Sequence, residues 1–142
     1  MYKRQVRNTY PSKFFLVPWD FDGCFGQKGI EKFSPTEDYL SLIKDVNGLY
    51  ERLLDNEEFK LECKNRWNYL RENLWTEEYI LNKLSDIYEE IEDILEIEVF
   101  KWKRSIERED DGEEFIIDDY INDLFQWIPE RLDFCDEFFS NF

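Results

Sequence analysis

Histidine is absent from the 142 residues. That excludes Ser-His and Cys-His nucleophilic catalysis and every metal site built on imidazole. Cysteine is sparse: Cys24, Cys63 and Cys135 lie far apart, are odd in number and form no C-x-x-C pair. The pattern indicates neither a zinc site nor a disulfide framework. Cys63 and Cys135 fall on apolar helical stripes and read as buried thiols. Basic residues are outnumbered, with 18 Lys and Arg against 34 Asp and Glu, a net charge of −16. Phosphate backbones and anionic lipid surfaces repel such a chain, so neither nucleic acid nor a membrane is an expected partner. No apolar run approaches the ~20 residues of a membrane-spanning helix. Met1 is followed by Tyr-Lys-Arg-Gln-Val-Arg, which lacks the apolar core of a signal peptide. Together with unpaired cysteines this points by default to a reducing, cytoplasmic setting.

Aromatic residues, by contrast, are plentiful: 13 Phe, 8 Tyr and 5 Trp. That supply suits one folded domain with a real core and argues against disorder along the whole length. The charge is unevenly spread. Residues 1–32 carry Lys3, Arg4, Arg7, Lys13, Lys28 and Lys32 against Asp20, Asp22 and Glu31, a net of +3. With the whole chain at −16, residues 33–142 therefore hold −19. The one basic neighbourhood flanks two aspartates, an arrangement suited to a phosphate-bearing substrate.

The chain reads as a mainly α protein of the α+β class, a short N-terminal β-hairpin packed on a bundle of about four helices. Residues 2–26 form the expected hairpin, with strands near Tyr2–Val6 and Lys13–Val17. Residues 1–33 make a hairpin and metal-binding loop and residues 34–142 a helical part, within one domain. Helices are expected at Asn47–Leu54, at Glu57–Asn73 and from Thr76 to about Arg108. Thr76 is placed to cap the third, followed by Glu77 and Glu78. In the second, Phe59, Cys63, Trp67, Leu70 and Leu74 share a face; in the third, Ile80, Leu84, Ile87, Ile91 and Ile94 do. A last helix is expected to be capped by Asp110 or Asp111 and to carry Ile117, Tyr120, Ile121, Leu124 and Ile128. Pro129 is expected to kink it or to start a second segment with Leu132, Cys135 and Phe139. The pairs Asp110-Asp111 and Asp118-Asp119 read as a solvated face or helix start.

The most informative segment runs from Phe14 to Gly26. Four apolar residues, Phe14 to Val17, lead to Asp20 and Asp22, two positions apart, and Gly23 and Gly26 free the backbone to turn. Paired carboxylates of this kind suit a hard cation such as Mg²⁺. An Asp-Gly turn with solvated carboxylates is the plainer reading of the bare pair. The stretch Pro18-Trp19-Asp20-Phe21-Asp22-Gly23-Cys24-Phe25-Gly26 resembles the Pro-Trp-Asp-x-Asp-x-x-Phe-Gly signature of the CotH family of spore-coat protein kinases. Asn47 to Phe59 is similar to that family's stretch after the metal loop. Ile128 to Phe139, with Arg131 and Leu132-Asp133-Phe134, is similar to its final helix.

The resemblance implies Mg²⁺-dependent phosphoryl transfer from ATP to a protein substrate, and a domain like the C-lobe of a protein kinase. Asp20 would hold Mg²⁺ against the nucleotide phosphates, and Asp22 would be a second ligand or would orient the first. Trp19 and Phe25 would pack to fix the loop. The family also needs a nucleotide-holding N-terminal lobe, a phosphate-binding lysine and an upstream catalytic aspartate. Only 19 residues precede Asp20, so the chain is expected to be the C-terminal portion of such a kinase, inactive without its N-lobe or a partner protein. Its parent would belong to the spore coat or the cell surface.

Two other readings compete. The haloacid dehalogenase phosphatases carry Asp-x-Asp-Gly-Thr after an apolar strand, which would make Asp20 a nucleophile and Asp22 a general acid. Here Cys24 stands where Thr belongs, Pro18-Trp19 interrupts the strand, and no alternation of strands and helices follows residue 33. The other reading is a non-catalytic acidic helical module for assembly, retaining a vestigial metal loop.

Overall fold

The structure is a computed structural model, and it describes residues 25–28, 31–38, 48–109 and 116–142. Four helices dominate it: α1 at Gly48–Leu54, α2 at Glu57–Asn73, α3 at Glu77–Glu109 and α4 at Ile117–Ser140. Each start follows from local chemistry. The Asn56 side chain accepts a hydrogen bond from the Phe59 amide at 2.9 Å, and Glu57 and Glu58 follow in the first turn. Thr76 does the same for α3, accepting from the Tyr79 amide at 3.1 Å, ahead of Glu77 and Glu78. Such side-chain oxygens satisfy amides that the first turn leaves without partners, and the carboxylates suit its positive end.

α4 begins differently from expectation. Its N-cap is Ile116, which makes no side-chain capping bond. Asp110 and Asp111 lie outside the described residues. Asp118 and Asp119 in the first turn supply negative charge to the helix terminus instead. Of the two outcomes expected at Pro129, a second segment does not occur, because α4 runs through it as one element to Ser140. An interior proline costs about 3 kcal/mol relative to alanine. The flanking residues show what offsets that cost: Ile128 and Leu132 are the most deeply buried apolar side chains described, at 5% and 7% exposure. Packing on both sides of the proline holds the helix together.

α4 is the spine of the molecule. It packs against α2 and against α3, while α1 packs against α2. Trp67 of α2 stacks on Phe139 at 5.1 Å between ring centroids and donates to the Asp136 carboxylate at 2.7 Å. Arg71 grips the same carboxylate with two nitrogens, Nε at 2.9 Å and Nη2 at 3.0 Å, and its Nη1 donates to the Trp75 carbonyl. Lys64 donates to the Ser140 carbonyl at 2.6 Å, where α4 ends. Phe134, Phe138, Phe139 and Phe142 form an aromatic cluster along that end.

The expected fold class needs correcting. Among the described residues the fold is helical, not an α+β kinase-like C-lobe. Strand pairing there is limited to a two-rung antiparallel ladder, Gln27–Lys28 against Glu31–Lys32. The strands expected near Tyr2–Val6 and Lys13–Val17 lie outside the described residues. The physical reason for the helical outcome is the unbroken three-and-four spacing of apolar residues from Phe59 onward. Among the described residues it puts the buried apolar side chains on helix faces and leaves only the two-rung ladder as sheet. The absence of alternating strands and helices after residue 48, among the described residues, also removes the dehalogenase reading.

Candidate functional site at the seat of the aspartate loop

Asp20 and Asp22 lie outside the described residues. What the structure describes is the segment that follows them, from Phe25 onward, and its contacts with α4. The segment leaves the aspartates through Phe25 and Gly26, whose φ angles are 59° and 78°. Two successive positive φ values turn the chain sharply, and only glycine adopts them freely. Phe25 accepts the less favourable geometry and sets its ring edge-on to Trp127 of α4, 6.5 Å between centroids.

Gly26 is confined more tightly still. A Cβ at this position would lie 2.7 Å from Cε2 of Trp127 and closer yet to its Nε1. The indole is itself tied down, because its Nε1 donates to the Phe33 carbonyl at 2.9 Å. The Phe33 amide in turn donates to the Gly26 carbonyl at 2.8 Å, extending the small ladder by one rung. Gly26, Phe33 and Trp127 therefore lock one another in place.

One turn further along α4, Arg131 completes the seat. Its Nη1 donates to the Pro35 carbonyl at 2.9 Å and to the Glu37 carbonyl at 2.7 Å. Its guanidinium also lies over the Phe134 ring, 4.9 Å from the centroid. A half-buried, charged guanidinium nitrogen shared between two backbone carbonyls fixes a loop more firmly than a neutral donor would. The strand-end turn and the 33–37 loop are thus pinned to a single helical turn of α4, Trp127 to Arg131. Beside them an open apolar cavity of ≈ 220 Å³ is lined by Phe25, Trp75, Tyr79, Ile80, Leu124 and Ile128 among others.

Other chemistry-bearing groups point away from catalysis. Burial pushes the Cys63 thiol above its ordinary range, with Glu62 adding to the effect. Burial likewise raises Cys135, opposed first by Arg131, with Asp136 adding and Arg71 opposing. Neither is a ready thiolate nucleophile at neutral pH. Among the described residues no group of three or more His, Cys, Asp or Glu side chains is placed to hold a metal ion, and Asp118 and Asp119 sit exposed in the first turn of α4. No helix among them is long and apolar enough to cross a membrane.

Trp127 and Arg131 were not legible as loop anchors from sequence. The available signal was an arginine among apolar neighbours, next to an interior proline, and it names no partner. The whole arrangement couples a turn that follows Asp-x-Asp to the final helix, which is the pairing that the sequence resemblance joins end to end.

Comparison with known proteins decides the family. The family whose sequence profile matches is described as CotH kinase protein, and the match covers residues 1–135. The chain belongs to the CotH family. The match includes both the aspartate loop and the Trp127–Arg131 turn that seats it. Among curated proteins, inner spore coat protein H of Bacillus subtilis (strain 168) is 32% identical to this CotH chain over 119 residues. The aligned part covers 84% of the chain and 32% of the relative, so the chain spans about a third of that protein's length. No solved structure is significantly similar to it.

Proposed function

We propose that this chain supplies the metal-binding part of a spore-coat protein kinase of the CotH type, which transfers phosphate from ATP to a protein. Asp20 and Asp22 hold Mg²⁺, Asp20 directly and Asp22 as second ligand or as the group that orients the first. The donor set fits the ion, since two carboxylates are hard oxygen donors and Mg²⁺ takes one or two of these together with substrate phosphates. When bound, the metal neutralises charge on the phosphoryl group in transfer.

The chain's own contribution is placement. Phosphoryl transfer depends mostly on positioning and electrostatics, and a carboxylate displaced by an ångström loses much of its effect. The observation that carries the reading is the lock between Gly26, Phe33 and Trp127, four residues beyond Asp22. It gives the loop a fixed footing without which two flexible carboxylates would hold a metal poorly. The nucleotide-holding lobe, or a partner protein that provides one, completes the enzyme.

The test is Mg²⁺-dependent ATP binding, followed calorimetrically in the protein that carries this segment together with its nucleotide-holding part. Asp20→Asn should abolish the metal-dependent component, and Asp22→Asn should weaken it, with helix content unchanged. Equal binding by Asp20→Asn and the parent protein would remove the basis for the site. The second reading, a non-catalytic assembly module, is favoured by the exposed apolar side of α3. It predicts that Asp20→Asn changes nothing in assembly or binding.

A further inference from the structure

We draw no further inference here: the strongest candidate, the open apolar cavity where Phe25 and Trp75 meet α3 and α4, is an unpartnered apolar surface, and nothing in the structure shows what covers it.

Discussion

α3 and α4 are both long, both acidic at the start and both striped with apolar residues at helical spacing, yet they are used in opposite ways. α4 spends its stripe inward. Ile128 and Leu132 are buried, and Trp127, Arg131, Asp136 and Phe139 each hold a named partner on another element. The 33 residues of α3 extend about 50 Å, against about 36 Å for the 24 of α4. The longer helix therefore outruns the shorter, and Ile94, Ile97 and Phe100 are left exposed, the last at 87%. A helical apolar stripe thus states that a helix has a face to cover, not that this chain covers it.

The sharpest way to break the comparison is matched truncation. Leu132→Ala and Ile128→Ala on α4 should each cost about 2–5 kcal/mol, since a deeply buried aliphatic side chain leaves a cavity. Ile94→Ala on α3, measured under monomeric conditions, should stay within about 0.5 kcal/mol of the parent, as for other exposed positions. Urea unfolding followed by circular dichroism reads both. Equal losses on the two helices would mean that the α3 face is covered after all.

A smaller effect is expected at the contact between α4 and the loop. Gly26→Ala forces a side chain into a left-handed backbone and against the tethered Trp127 indole, at a cost of about 1–3 kcal/mol. Much of that loss should be local. Amide exchange at Phe33, whose N–H closes the ladder on Gly26, should accelerate more than exchange within α3. Uniform acceleration would show that the loop and the helix melt together.

The smallest effect separates the helices by pH. The two described thiols, Cys63 on α2 and Cys135 on α4, are both held above the ordinary value of 9.0, chiefly by burial. As pH rises past that value the unfolded thiols release protons while the native ones keep theirs, so stability falls until the native thiols also ionise. Cys135→Ala should flatten this alkaline slope, as read from unfolding curves at a series of pH values. Ile94→Ala on α3, which removes no titratable group, should leave the slope as it is.

How much of this was written in the sequence varies by element. The extents of α1, α2 and α3 were legible within a residue or so, because Asn56 and Thr76 are strong caps followed by acidic turns. The α4 stripe was legible too, from Ile117 to Phe139. The continuity of α4 through Pro129 was not, since local propensity argues for a break and only tertiary packing overrides it. Among the described residues the one ladder, Gln27–Lys28 with Glu31–Lys32, was not legible, because a two-residue strand carries no periodic signal. At the site, the family motif that contains Asp20 and Asp22 was readable, and the family match covers it. The seat was not readable, because the hydrogen bonds of Trp127 and Arg131 to backbone carbonyls depend on where the chain folds back, not on the identity of the residues they hold.

That seat has a consequence for the order of events during synthesis. Trp127 and Arg131 reach carbonyls 94 to 96 positions earlier in the chain. A ribosome therefore makes the turn at Phe25 and Gly26 and the 33–37 loop long before it makes the surface they lean on. Contacts of such long sequence separation are also the slowest to close. Helices α1, α2 and α3 can form while that turn and loop wait, and both acquire their footing only when α4 arrives. The turn at Phe25 and Gly26 and the 33–37 loop are thus among the last described parts to be fixed, and any error that stops translation within α4 leaves them made but never anchored.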